Sequence, residues 1–343
     1  MAIGDGYQHN YKSALGLAKE TTWGTFVTAS TFIEFDSESL KRAIPIEKIN
    51  AVNSERSPVK FYLSNETVSG GIEGPVNVAA DAFVMLLKNA LGGTCASTAL
   101  SAGAYSHVLY VGDQESNANT STATDTKGLS FEVRRGANHV WRISGGRVNK
   151  MSIKGEIGQP IKFSAEIVAK TASLTTALST TVVYTDATPQ LWTQVVITDA
   201  ASVGAIPGSA QTYQNFEVNI DNKLMTDMRN LGSRQISALP IGGFDVSMKL
   251  TQRFDTSTSH DYWLAETPRS FRIAVTGATI GAQSPQYLLQ IDLPKCVLAY
   301  DHPTVNGREG VLTHELPYMC LRDNTTTGYE IRATVQNATA SYP

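Results

Sequence analysis

The sequence is poor in charged residues, and this limits the kinds of partner that the protein can attract. Charged residues make up 17% of the chain, against about a quarter in typical soluble proteins. The formal net charge is −3, so no global basic field is available to attract nucleic acid. A hydrophobic content of 42% over 343 residues provides for one large or two medium cores. The Thr-, Ser-, Ala-, Val- and Gly-rich remainder is typical of β-structure with many turns.

Cysteine and long apolar runs are also scarce. Cys95, Cys296 and Cys320 are odd in number and lack the Cys-x-x-Cys spacing. This pattern argues against a disulfide framework or a zinc site and favours buried thiols. The first twenty residues lack the features of a signal peptide, and no uncharged run is long enough to cross a bilayer. We therefore expect a protein that is made in the cytoplasm and stays soluble until partners take it up.

Catalytic motifs are absent as well. The chain has no phosphate-binding loop, dinucleotide fingerprint, zinc-protease helix or nucleophile elbow. Asp255, His260 and Asp261 lie close together in sequence, but first-turn acids beside a surface histidine are favoured over a metal site.

Two cysteine–histidine combinations are weighed as nucleophile and base, Cys296 with His302 and Cys320 with His314. Nothing in their spacing supports either combination, and both cysteines adjoin residues of predicted strands. We predict no catalytic residue, no metal site and no cofactor, and hence no enzyme.

One basic stretch is the only nucleic-acid-like feature. A solvated sheet face is favoured over nucleic-acid recognition, because Glu132, Glu156 and Glu166 dilute its charge. The stretch comprises Arg134, Arg135, His139, Trp141, Arg142, Arg147, Lys150 and Lys154.

A strand followed by a short helix is the most strongly patterned segment. After the strand-like run from Val68, apolar residues recur at i, i+3, i+4 and i+7 between Phe83 and Ala90, which is one face of a helix. Asp81 is placed as an N-cap or first-turn acid, and Gly92 provides the stop. Such a short helix must lie on a sheet to be stable.

A predicted hairpin covers residues 148–169. Its two strands alternate apolar residues with polar ones, so that one face is core and the other is polar and mixed in sign. We predict that Glu156 pairs with Lys162, which brings opposite charges together across the strands.

The order of elements is repeated. Alternating strands occur at residues 31–40 and 214–224, and a second Gly-Gly strand with a helical patch spans 241–265. We therefore predict two copies of one β-rich module, each with one short helix. The predicted divisions are an arm at 1–30, a first module at 31–171 with a polar loop at 41–67 and an insertion at 94–126, a connection at 172–212, and a second module at 213–343.

Three short motifs carry a family resemblance. They are the arm Gly16–Thr25 with the pattern GxAxExxxGT, the acidic strand 32–40, and the run 68–74 that leads to the helix. In order and spacing they resemble the major tail tube proteins of long-tailed, siphovirus-like bacteriophages, in the larger family with two tandem modules. The resemblance covers about the first 95 residues well.

The resemblance implies a structural virion protein of the tail, assembled in the host cytoplasm. The resemblance further implies that each module is a β-sandwich with a flanking helix and that the sheets join into a ring-wide β-barrel. Three chains are then expected to give a pseudo-hexameric ring, and stacked rings are expected to form the tube through which DNA is ejected. The implied partners are further copies of the chain, the tape measure, tail terminator and distal tail proteins, and double-stranded DNA that passes without sequence-specific binding. No membrane is involved.

Two sets of residues are predicted to serve assembly. Acidic and neutral residues are expected to offset the lysines in the bore, because an unbroken positive band would trap DNA. The predicted lumen-facing residues are Lys150, Ser152, Lys154, Glu156, Lys162, Ser164 and Glu166. The predicted ring-stacking residues are Lys41, Arg42, Glu47, Lys48, Glu55, Arg56 and Lys60.

Two alternatives stay open at this point. A receptor-binding or capsid-decoration subunit would typically carry trimeric stem repeats or aromatic carbohydrate platforms, which the sequence lacks. A β-sandwich carbohydrate-active enzyme would need two carboxylates about 5–10 Å apart.

Overall fold

The computed structural model describes residues 9–52, 56–101, 103–112, 128–254, 258–281, 285–300, 303, 305, 311–324 and 328–342. The protein is mainly β, as predicted. The strands are β1 (Ala14–Lys19), β2 (Thr31–Ile33), β3 (Ser37–Glu38), β4 (Lys41–Ala43), β5 (Ile46–Ile49), β6 (Lys60–Leu63), β7 (Thr67–Pro75), β8 (Gly92–Ala99), β9 (Tyr105–Val111), β10 (Leu129–Arg135), β11 (His139–Glu156), β12 (Lys162–Ala169), β13 (Thr171–Thr175), β14 (Val195–Ala200), β15 (Ser209–Ala210), β16 (Asn215–Asp221), β17 (Asp245–Arg253), β18 (Arg269–Thr279), β19 (Gln286–Leu298), β20 (Thr313–Cys320) and β21 (Arg332–Asn337). The helices are α1 (Asp81–Leu91) and α2 (Thr258–Leu264).

A long antiparallel sheet runs through both halves of the chain. Its spatial order is β3 and β4 at one edge, then β7, β12, the end of β11, β16, β17, β20 and the last residues of β19. One face of these strands is apolar because their sequences alternate with period two. The β17 strand, for example, buries Val246, Met248 and Leu250 and exposes the residues between them.

Two further sheets cover the apolar face. The arm sheet has the order β2, β1, β10, the start of β11 and β13. The second sheet has the order β15, β14, β18, β19, β21, β9 and β8. Both β11 and β19 therefore belong to two sheets, starting in a covering sheet and ending in the long sheet.

The two halves share one strand order. In the long sheet, β16, β17, β20 and β19 repeat the arrangement of β3/β4, β7, β12 and β11. In the covering sheets, β14, β15, β18 and β21 take the places of β1, β2, β10 and β13. The repeat therefore includes strands within the predicted arm and connection. The division into two modules at the stated boundaries stays a prediction.

The helix α1 begins and ends where the sequence predicts. It starts after Ala80 and stops at Gly92, whose φ of 72° is the left-handed conformation that glycine adopts without strain. Ala80 is the N-cap residue and Asp81 is the first-turn acid, whose side chain accepts hydrogen bonds from the hydroxyls of Thr339 and Tyr342. The first turn of α1 is thereby fixed to the carboxyl-terminal segment.

Three segments are more structured than the sequence predicts. The predicted polar loop 41–67 contains β4 and the β5–β6 hairpin, and the insertion 94–126 contains most of β8 and all of β9. The arm contributes β1 to the arm sheet. The strands β4, β5 and β6 were missed because all of their residues are exposed, so no alternation of buried and exposed positions marks them. Residues 113–126 of the predicted insertion lie outside the described part of the chain.

One large apolar core extends through both halves, beside two smaller clusters of buried residues. It includes Leu15 on β1, Phe83 on α1, Phe163 on β12, Met248 on β17 and Val335 on β21. The Phe83 and Phe163 rings lie 5.5 Å apart between centroids, which packs the helix directly on the long sheet.

Candidate assembly surfaces

The polar face of the long sheet carries all seven predicted lumen-facing residues. On this face Lys150, Lys154, Glu156, Lys162 and Glu166 are exposed. Ser152 and Ser164 are half-buried, while the alternating residues Met151, Ile153 and Phe163 lie in the core. The second half extends the face with residues that our sequence analysis missed, although their strands alternate clearly: Glu217, Asn219, Asp221, Asp245, Ser247, Lys249 and Glu315.

The predicted register of the β11–β12 hairpin is wrong by two residues. Lys162 pairs with Lys154 and not with Glu156, and Ser152 pairs with Ser164. The reason lies in the turn, where Pro160 bridges to Leu191 and the Ile161 N–H donates to Gln190. These contacts draw the chain away from β11 and lengthen the loop.

The like-charged pair is offset by nearby acids. Lys162 Nζ lies 2.8 Å from Asp36, and Lys154 Nζ lies 3.6 Å from Glu156. The hydrogen bond to Asp36 raises the pKa of Lys162 above its ordinary value. Lys150 is balanced in the same way by Asp221 at 3.4 Å. Within one chain, each of the three predicted lumen lysines therefore has an acidic partner.

The polar face is concave. A groove of about 930 Å³ lies over it and spans strands from β12 to β20, with Ser164, Lys150, Asn219, Ser247 and Met319 among its lining residues. The exposed polar face therefore carries a groove that continues from the first half of the chain into the second.

The two halves of the long sheet meet edge to edge. β11 and β16 pair over seven register positions, from Lys150 opposite Asp221 to Glu156 opposite Asn215. Equivalent edges lie at the two ends of the sheet. At one end β3 and β4 pair only with β7 among the described strands, and at the other Val297 and Leu298 pair only with β20.

The β5–β6 hairpin is an apolar projection. It forms a two-stranded sheet of its own, and every residue of both strands is exposed. Phe61 is 68% exposed and Ile46 is 66% exposed. An isolated two-stranded hairpin is marginally stable in water, so this exposed apolar hairpin is a candidate contact surface.

The predicted ring-stacking residues are divided among several places. Glu47 and Lys48 lie on β5, Lys60 lies on β6, and Arg56 is exposed in the connecting segment. Lys41 lies on β4, while Arg42 on the same strand binds the buried carboxylate of Glu66 through Nε at 3.0 Å. Arg42 thus also serves the fold of the chain itself. Glu55 lies outside the described residues.

The buried Glu20 explains why the arm motif has its spacing. Its carboxylate accepts hydrogen bonds from the Gly24 N–H at 2.6 Å, the Gly145 N–H at 2.7 Å and the Ser130 hydroxyl at 2.8 Å. Gly24 has a φ of +79°, which favours glycine. Burial raises the pKa of Glu20, and the three donors oppose that rise. The motif therefore fastens the arm to β10 and β11.

Three arginines of the basic stretch are engaged within the fold. Arg135 pairs with Glu38 at 2.7 Å, and Arg142 pairs with the fully buried Glu132 at 3.0 Å. Arg147 is itself buried, and burial lowers its pKa to about 10. Arg135 thus links β10 to β3 of the long sheet, Arg142 pairs across neighbouring strands of the arm sheet, and Arg147 donates to the Leu239 carbonyl.

The cysteine–histidine pairs considered as nucleophile and base do not come together among the described residues. His314 contacts Gln252 at 2.9 Å, while Cys320 lies against Cys296. His302 and Asp255 lie outside the described residues. No group of three or more potential metal ligands occurs in the part of the chain that the structure describes. Within that part, no helix has the length and apolar character needed to span a membrane.

Comparison with known families decides the identity. A family model for phage tail tube proteins matches residues 10–320. The chain belongs to the phage tail tube protein family. The resemblance drawn from the sequence is confirmed, and the protein is a structural component of a bacteriophage tail. No curated protein matches the sequence.

Proposed function

We propose that this tail tube protein closes into rings by repeating, between chains, the joint that β11 and β16 make within the chain. That internal joint is the observation on which the proposal rests. Because β19 occupies the place of β11 and β3/β4 occupy the place of β16, the end of β19 in one chain is matched to β3/β4 of the next. Such head-to-tail contacts form a ring when the rotation closes.

Three chains complete the proposed ring. In the long sheet, each chain supplies two repeats of four strand positions. A trimer therefore supplies six repeats and has pseudo-hexameric symmetry. Closing the sheet removes its edges, which would otherwise be sites of uncontrolled association. The concave polar face then lines the bore, and the apolar core lies outside it.

The proposed bore suits the passage of DNA. Phosphate contacts dominate the affinity of proteins for DNA, and each free lysine or arginine adds to it. The pairing of Lys150, Lys154 and Lys162 with acids reduces this attraction. DNA is therefore expected to move through the tube during ejection without sequence-specific binding.

The β5–β6 hairpin is proposed to join one ring to the next. Its apolar residues are exposed on both of its faces, so a single chain leaves them in water. The tape measure protein would lie within the tube, and the tail terminator and distal tail proteins would bind its ends. The tube is assembled in the host cytoplasm in this proposal.

Proline substitution tests the ring joint. The Ala299 N–H donates to Pro317 at 2.8 Å, so the alternation of an antiparallel pair points the N–H of exposed Tyr300 outward. Tyr300→Pro removes that donor. Negative-stain microscopy should show hollow rods or rings for the unaltered protein and single subunits for the variant. The control is Val183→Pro in an exposed coil, and normal rings from Tyr300→Pro would contradict the joint.

Deleting Ala43 to Ser64 tests ring stacking. Glu66 and β7 remain, so the subunit should stay folded and form at most single rings. Phe61→Asp should have the same effect without shortening the chain, and circular dichroism should show an unchanged fold. Long tubes from either variant would refute the role of the hairpin.

A further inference from the structure

Two buried thiols meet where the long sheet joins the second sheet. Cys296 on β19 and Cys320 on β20 are direct register partners, and their Sγ atoms lie 3.3 Å apart. Cys296 is 0% exposed and Cys320 is 3% exposed. The sequence did not reveal the pair, because the thiols meet only through the strand register.

The hydrogen bonds around the pair place the two cysteines at a strand position whose typical spacing suits a disulfide. The Leu321 N–H donates to Lys295 at 2.7 Å, and the Ala299 N–H donates to Pro317 at 2.8 Å. By the alternation of an antiparallel ladder, the cysteines occupy a non-hydrogen-bonded position, where Cα atoms lie about 4.5 Å apart. Disulfides span Cα separations of about 4.4–6.8 Å. Side-chain rotation can therefore close the bond without moving the strands.

We propose that Cys296 and Cys320 form an oxidation site that closes to a disulfide between β19 and β20. The two thiols lose two protons and two electrons. A low-molecular-weight disulfide such as oxidised glutathione accepts them and leaves as two thiols.

The reaction is expected to begin at Cys320. This residue borders the groove over the polar face and is the more exposed of the two. Its thiolate attacks the small disulfide and releases one thiol, and Cys296 then displaces the second thiol from the mixed disulfide. Burial raises the pKa of the Cys296 thiol, so the second step should be slow.

The bond would fasten the end of β19 to the long sheet. Val297 and Leu298, which form the edge proposed to receive the next chain, directly follow Cys296. Thiols stay reduced in the cytosol, whereas disulfides persist in proteins outside cells. We therefore assign the reduced pair to the subunit in the host and the disulfide to the released particle. This assignment rests on the proposed function, but the chemistry of the pair does not.

Thiol counting on the unassembled full-length subunit tests the proposal. The protein is incubated with reduced or oxidised glutathione, denatured in acid, alkylated with iodoacetamide at neutral pH in denaturant, and weighed intact. The reduced sample should carry three adducts, one for each cysteine. The oxidised sample should carry one, at Cys95, and its peptide map should contain a linked Cys296–Cys320 peptide.

A stability readout uses the same samples. Oxidation should raise the melting temperature by on the order of 5 °C. The rise should persist in Cys95→Ser and be absent in Cys320→Ser. The unaltered protein alone decides the question if Cys320→Ser fails to fold.

Three adducts after prolonged oxidation, or a bond that forms only in denaturant, would overturn the proposal. Because the subunit is tested before assembly, this result is independent of whether rings form.

Discussion

The two helices occupy equivalent places in the repeat but differ in burial. Nine residues of α1 are buried, and the helix lies against β1, β2, β8, β9 and β11. In α2 only Ser259 is buried, and the helix lies mainly against β19. Its Trp263 donates to the Ala299 carbonyl at 3.1 Å, while Leu264 is 65% exposed.

This difference shows what the first half gains from its neighbours. The second half contributes directly to α1, because the Asn222 side chain donates to the Ala90 carbonyl at 2.9 Å. The chain offers no such cover to α2 among its described residues. We infer that α2 stabilises the monomer little and that its outer face is available to another chain.

Truncation within α1 should give the largest loss of stability. Leu86 is fully buried, so Leu86→Ala should lower the free energy of unfolding by about 2–5 kcal/mol. Leu264→Ala in α2 should change it by less than about 0.5 kcal/mol. Denaturant unfolding measures both, and equal losses would show that the two helices contribute alike.

Removing the Glu20 carboxylate should give the next largest effect in the first half. Glu20→Ala leaves the buried donors of Gly145 and Ser130 without their acceptor, which costs about 1–3 kcal/mol. Glu217→Ala on the polar face is the matched control and should be nearly neutral. A neutral Glu20→Ala would mean that the arm motif does not fasten β10 and β11.

Glu330 provides a pH-dependent counterpart in the second half. Burial raises its pKa to about 7, although the Val246 N–H donates to it at 3.0 Å. Because the folded-state pKa lies above the unfolded value, this residue's contribution to stability falls as pH rises from about 4.5 to about 7.

Substitution of Glu330 by glutamine should remove that pH dependence. Glu330→Gln should raise the free energy of unfolding at pH 8 by about 1–2 kcal/mol and leave it nearly unchanged at pH 4. Chemical denaturation at both pH values measures the effect. Equal changes at pH 4 and pH 8 would indicate a packing effect instead.

The smallest effect is expected on the polar face itself. Lys154 and Glu156 are both more than half exposed in their ion pair, and such pairs contribute little. Lys154→Ser should leave the melting temperature unchanged in a thermal scan. A clear loss would show that this face is part of the fold of the monomer.

The sequence predicts elements whose pattern is local. The α1 bounds follow from the spacing of its apolar residues and from Gly92, and the polar face follows from alternation along β11 and β12. The register of that hairpin could not be predicted, because Pro160 and Ile161 pair with the distant residues Leu191 and Gln190. Alternation assigns a face, but it does not identify the partner strand.

Of the two candidate assembly surfaces, one was predicted from its local pattern and the other was not. Lysines at alternating positions identified the lumen candidates, whereas the β5–β6 hairpin was taken for a polar loop. Its signals, Ile46 with Ile49 and Phe61 with Leu63, are apolar residues that find no core within the chain. A sequence pattern specifies burial only where the same chain provides the cover.

The β8–β9 hairpin belongs to the first half in sequence, yet β9 is hydrogen-bonded along β21 from the second half. Cutting the chain midway would leave β21 paired with β19 alone among the described strands and would leave β9 with an open side. The two halves are therefore joined through a shared sheet as well as through the chain. Neither half is expected to fold when it is expressed without the other.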